Sequence, residues 1–79
     1  MTIDATSVNA IIGSRIRERR KELGMRGADL ARLTGLCRSF ISDLENGRRG
    51  VSAENIFLIS ESLRVDVNYF FKPLRGSAS

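Results

Sequence analysis

The stretch Gly35-Leu36-Cys37-Arg38-Ser39-Phe40-Ile41-Ser42-Asp43-Leu44-Glu45-Asn46-Gly47-Arg48-Arg49 constrains the fold more tightly than any other part of this chain. If residues 37 to 46 are helical and each turns the side chain by roughly 100°, Phe40, Ile41 and Leu44 share one side. Arg38, Ser39, Ser42 and Asp43 share the other. One face is built to pack and its opposite is polar. Asn46-Gly47 then reads as a helix stop, because glycine enters the left-handed conformation that side chains resist. Arg48 and Arg49 follow at once. Upstream, Gly24 and Gly35 bracket a segment from Arg26 to Thr34, in which Leu30, Ala31 and Leu33 make a compact apolar side.

The flanking segments extend the helical pattern. Residues 1 to 6 carry no periodicity and read as a flexible arm. Ser7 is the expected N-cap of a first helix. Val8, Ile12, Ile16 and Leu23 line its apolar stripe, and Gly24 closes it. Arg19 falls within that stripe, so its stem is expected to cross the edge of the core while its head reaches water. After the loop Arg48-Arg49-Gly50-Val51, Ser52 is the N-cap of a fourth helix running to about Leu63, with Ile56, Ile59 and Leu63 as its stripe. Phe57 and Leu58 lie off the stripe. Asp66 caps a last short turn containing Val67, Tyr69, Phe70 and Phe71, and Pro73 ends it because it has no N–H to continue a helix. The expectation is an all-α, compact five-helix domain over residues 7–72, followed by a flexible tail over 73–79. Phe70 is assigned to the core.

Composition removes several classes of function. With 79 residues there is room for one domain. Cys37 is the only cysteine and histidine is absent, so a disulfide framework or a zinc site has almost no ligands to work with, and a reducing cytoplasm is expected. The longest uninterrupted apolar run, Ile56 to Ile59, is far too short for a membrane span. Asp4, with no apolar stretch behind it, argues against a secretory signal. Ser14, Ser39, Ser42 and Ser60 have no identifiable general base, and no glycine-rich phosphate loop is present. These residues point away from an enzyme, with no metal and no cofactor. Net charge is +4, and residues 15–49 alone carry +5, from ten basic and five acidic side chains. The basic charge coincides with the helix–turn–helix segment, as a polyanion-binding surface requires. A run such as Arg15 to Lys21 has an alternative reading as a solvated helix face.

Two helices joined by a glycine turn are the arrangement that lays one helix across a DNA backbone and the next in the major groove. From Ile12 through Phe71 the sequence resembles the lambda-repressor-like, Cro/C1-type helix-turn-helix family, also called the XRE family, including its restriction-modification controllers. The matching pieces are Ile12-Gly13-Ser14-Arg15-Ile16-Arg17, Lys21-Glu22-Leu23-Gly24-Met25, Asp29-Leu30-Ala31, Gly35-Leu36, Ile41 through Arg49, and Val65 through Phe71.

The resemblance implies a regulator that binds double-stranded DNA as a homodimer on a pseudo-palindromic operator, with residues 37–46 as the recognition helix. Cys37, Arg38 and Ser39 match the family's base-contacting positions, with Asp43 one turn later. A guanidinium at Arg38 suits the O6 and N7 of guanine, a contact worth about 1–3 kcal/mol of discrimination. Asp43 suits a cytosine amino group, or holds an arginine in position, while its charge penalises a nearby phosphate. Arg48 and Arg49 match residues that grip phosphate, and Ser42, Arg26 and Gly27 are assigned to the same role. Arg20 and Glu45 match a structural ion pair.

Two positions depart from the family pattern. Arg26 and Gly27 stand where Thr-Gln or Ser-Gln is frequent, leaving an arginine and a backbone amide for the phosphate contact. Cys37 stands where serine or threonine is frequent, either as a small side chain that fits or as a thiol activated near a helix N-terminus. For the dimer interface the expected residues are Leu58, Tyr69 and Phe71. The rival expectation is an antitoxin or anti-regulator whose domain mainly holds a partner protein.

Overall fold

The computed structural model describes residues 5–71, and the expected tail over 73–79, with the stop at Pro73, lies outside them. Four α-helices follow one another, α1 (Ala5–Glu22), α2 (Gly27–Thr34), α3 (Arg38–Glu45) and α4 (Ala53–Ser62). The fifth element, Val67–Phe71, is a 3-10 helix rather than an α-helix. The all-helical architecture expected from the sequence is present, and no strand occurs among the described residues.

Each α-helix is followed by a residue with left-handed backbone: Gly24 at φ 71°, Gly35 at 77°, Gly47 at 72° and Arg64 at 59°. After α1, α3 and α4 the chain reverses with a pair of backbone hydrogen bonds that satisfy the last carbonyls of the helix. Following α3, the Arg48 N–H donates to the Asp43 carbonyl at 2.9 Å and the Gly47 N–H to the Leu44 carbonyl at 3.1 Å. Short polar side chains cap the starts of α4 and of the 3-10 helix, whereas no hydroxyl or amide side chain caps α2 or α3. Ser52 Oγ accepts from the Asn55 N–H at 3.1 Å, and Asp66 Oδ1 accepts from the Asn68 N–H at 2.9 Å, as the sequence predicts for both.

The first helix departs from expectation at its start. It begins by Ala5, so Ser7 lies inside the helix instead of capping it, and Ala5 and Thr6 are helical rather than part of an arm. The expected arm over residues 1–4 lies outside the described residues. Apolar periodicity detects a helix only where a stripe is needed for packing, and that stripe starts at Val8, after the first three residues of α1.

One core joins all five elements: Ile12 and Ile16 from α1, Leu30 and Ala31 from α2, Ile41 and Leu44 from α3, Ile56, Ile59 and the adjoining Leu63 from α4, and Phe70. Two residues expected on apolar faces are not in it, since Leu33 is 56% and Val8 39% exposed. Leu33 points roughly 110° away from the direction shared by Leu30 and Ala31, beyond the reach of the crossing helices. α1 and α3 touch at Gly13, where any Cβ would collide with the Leu44 carbonyl oxygen. Arg19 also differs from expectation. Its Nε donates to the Leu63 carbonyl at 2.9 Å and its Nη1 pairs with Glu22 at 3.1 Å, so its head ties α1 to the end of α4 rather than being left to water.

Candidate nucleic-acid interface

The two faces of α3 separate as its periodicity requires. Ile41 and Leu44 are each 2% exposed and anchor the inner side, with Phe40 half-buried beside them. Arg38, Ser39 and Ser42 are exposed on the outer side, and Asp43 lies at its edge. Arg38 has neither a hydrogen bond nor an ion pair with any described residue. Its charge is therefore uncompensated among the described residues. Cys37 occupies the N-cap position in extended backbone, exposed, with its Sγ 3.5 Å from the Ser39 Oγ. The Ser39 hydroxyl, then the Phe40 backbone N–H, hold the thiol below its usual pKa.

A part-buried ion pair fixes α3 against the rest of the molecule. Arg20 Nε and Nη2 donate to the two carboxylate oxygens of Glu45 at 2.7 and 2.9 Å, and Arg20 Nη1 donates to the Met25 carbonyl at 2.8 Å. The two side chains are 12% and 9% exposed. One guanidinium thereby holds α1, the turn into α2 and the last residue of α3 in register. Forked, charge-assisted contacts of this kind set orientation as well as position. Both residues are thus committed to the scaffold.

Four other arginines of this region are arranged about two carboxylates. Asp43 lies 3.5 Å from Arg48 Nη1 and 3.8 Å from Arg49 Nε. Asp29, in the first turn of α2, accepts from Arg32 Nη2 at 3.0 Å and pairs with Arg26 Nε at 3.6 Å. It also accepts from the Arg26 backbone N–H at 2.8 Å, which caps α2 from inside the helix. That N–H, then the Arg32 guanidinium, hold its carboxyl below the ordinary carboxylate range. Arg26 itself is 85% exposed. Gly27 opens α2 and has nothing within 4 Å of where a Cβ would stand, so the departure at this position leaves open space at the helix start.

The structure thus brings Cys37, Arg38, Ser39, Ser42 and Asp43 onto one helix edge, with Arg48 and Arg49 folded back beside Asp43. Arg26 and Gly27 stand at the start of the neighbouring helix. Sequence reasoning missed three participants. Arg32 reaches Asp29 at i,i+3 spacing, a legible signal. Asp29 is three residues after Arg26, the spacing from which an acidic side chain caps a helix start. Phe40, assigned to packing alone, also lies 4.7 Å beneath the Arg49 guanidinium, and nothing local reveals that contact.

The expected interface residues are distributed differently from one another. Leu58 is 40% and Phe71 56% exposed. Tyr69 is half-buried against its own core, its ring edge-on to Phe70 at 5.3 Å, and burial followed by Glu22 and Glu18 raises its phenol pKa. Phe70 is fully buried, in the core as expected. No described helix is long and apolar enough to cross a membrane. No cluster of metal-ligating side chains occurs among the described residues.

Two short helices joined at a left-handed glycine, the second with an exposed polar and cationic edge, define a helix-turn-helix. The pattern of the family described as helix-turn-helix matches residues 16–70. The chain is 37% identical over 67 residues to an uncharacterized transcriptional regulator in the ATPase CF(0) region of Rhodospirillum rubrum, an alignment covering 85% of this chain and 62% of that protein. The crystal structure of the restriction-modification controller protein C.AhdI from Aeromonas hydrophila is similar at 35% identity and a TM-score of 0.77, covering 80% of this chain and 96% of that one. The c2 repressor of phage P22, solved in complex with a synthetic operator, is similar at 33% identity and a TM-score of 0.71, covering 84% and 96%. The chain belongs to the helix-turn-helix family of the lambda-repressor-like, XRE type, a family of transcriptional regulators.

Proposed function

We propose that this chain is a sequence-specific DNA-binding regulator that acts in the cytoplasm as a homodimer on a pseudo-palindromic operator. Recognition is by α3 in the major groove, with Arg38, Ser39, Cys37 and Asp43 at base edges. Arg26, Gly27, Ser42, Arg48 and Arg49 meet the phosphates. Leu58, Tyr69 and Phe71 face the second copy. The observation that carries this reading is Arg38, exposed on the outer face of a rigidly held helix with no partner among the described residues. An arginine held out in that way is suited to donate two hydrogen bonds to a guanine edge. DNA in complex with the P22 repressor, a relative of the same fold, supports the assignment.

The test is selection of binders from a random duplex pool at near-physiological salt, with the wild type beside Arg38→Ala. The expected result is a two-fold symmetric motif whose guanine preference relaxes in the variant. No enriched motif would overturn the reading in favour of a domain that mainly holds a partner protein.

A further inference from the structure

Asp43 gathers both arginines that follow α3, one on each carboxylate oxygen, at 3.5 Å from Arg48 and 3.8 Å from Arg49. Arg49 is held from a second side by the Phe40 ring, 4.7 Å from its guanidinium carbon. These contacts span five and six residues, a spacing that does not meet on a continuing helix. They exist because the chain reverses at Gly47, where φ is 72° and a Cβ would stand 2.9 Å from the Ala10 Cα. The backbone turn thus returns two cations to a carboxylate beside Arg38, Ser39 and Ser42.

Such a carboxylate repels phosphate and occupies two groups that would otherwise bind it. It also suits one base edge, the cytosine amino group, which donates to a carboxylate. We propose that Asp43 is a specificity-determining residue that withholds Arg48 and Arg49 from phosphate until a cytosine amino group takes their place. On a duplex without that cytosine in reach, the carboxylate stays with the arginines and opposes the backbone. On the operator it turns to the base, and the two guanidinium groups pass to phosphates. The arginines are 66% and 51% exposed and their ion pairs are long, so release is easy. The inference rests on the DNA-binding reading above.

The experiment measures affinity for the selected operator and for an unrelated duplex across a salt series. For Asp43→Asn, affinity for the unrelated duplex should rise about threefold to thirtyfold at low salt, with a log-log salt slope steeper by about one to two. The operator-to-unrelated ratio should shrink. Asp43→Ser provides a second uncharged variant, and the gain should vanish when Arg48 and Arg49 are both changed to Gln. A damaged fold would weaken binding, the opposite sign. Unchanged non-specific affinity and slope in both variants, beside a wild type that binds its operator, would overturn this proposal alone. A gain that persists without the two arginines would overturn it as well, showing simple repulsion. Absence of salt-dependent binding by the wild type to any duplex would overturn both readings.

Discussion

Arg64 is the only described residue other than glycine with left-handed backbone, at φ 59°. It ends α4 as Gly24 and Gly47 end α1 and α3, with the Arg64 N–H donating to Glu61 and the Val65 N–H to Ser60 at 3.2 and 3.0 Å. A Cβ in this conformation crowds the following carbonyl, at a cost of about 1–2 kcal/mol that glycine escapes, though glycine loses more freedom on folding. Arg64→Gly should therefore stabilise the protein by about 0.5–1 kcal/mol, raising the melting temperature by roughly 2–8 °C. Thermal unfolding followed by circular dichroism measures it. A lower melting temperature would mean that the Arg64 side chain contributes more than its backbone strain costs.

Helix α2 illustrates what an element needs beyond its own residues. With eight residues it is too short to persist alone. Its start has no hydroxyl or amide cap, and the Arg26 guanidinium cannot accept a hydrogen bond. Asp29 supplies the capping contact from the third helical position, and the same carboxylate holds Arg32. Because its carboxyl is held below the ordinary range in the folded state, the unfolded chain binds its proton more readily. The stability Asp29 contributes is thus fully present above the unfolded pKa and is lost as pH falls through the folded one. Asp29→Asn should lie below the wild type in stability at neutral pH, and the two curves should converge as acid protonates Asp29 in the wild type. Urea unfolding at a series of pH values checks this, and a gap that stayed constant into acid would refute it.

At the scale of the molecule, the proposed dimer depends on which apolar side chains the fold leaves outside. Leu58 projects away from the stripe formed by Ile56, Ile59 and Leu63 and remains exposed, whereas Tyr69 is drawn partly into its own core. Leu58→Glu should leave the fold intact and give a monomer in sedimentation equilibrium, because a carboxylate buried between two copies loses its hydration without a partner. Operator affinity should fall with it. Two recognition helices one DNA turn apart, about 34 Å, act as one binding unit only while the dimer holds them. A folded Leu58→Glu dimer would remove Leu58 from the interface.

Much of this architecture was legible in the residues. The stops at Gly24, Gly35 and Gly47, the caps at Ser52 and Asp66 and the buried stripe of α4 follow from local backbone preference and from a period that neighbouring residues share. The pairing of Arg20 with Glu45 was legible through family resemblance. Other features were set by contacts distant in sequence. Nothing in the type of residue 64 marks it as a helix stop, and Leu33 differs from Leu30 only in the direction of its side chain relative to the crossing helices. Gly13 owes its role to the Leu44 carbonyl, and Phe40 acquires Arg49 only after the chain has reversed at Gly47. Propensity and periodicity act between residues a few positions apart, so the sequence alone determined which segments become helices and which face of each is apolar. Burial and ion pairing depend on which elements cross, so only the tertiary structure decided that Tyr69 is partly covered by its own core, that Leu33 stays out and that Asp43 meets two arginines.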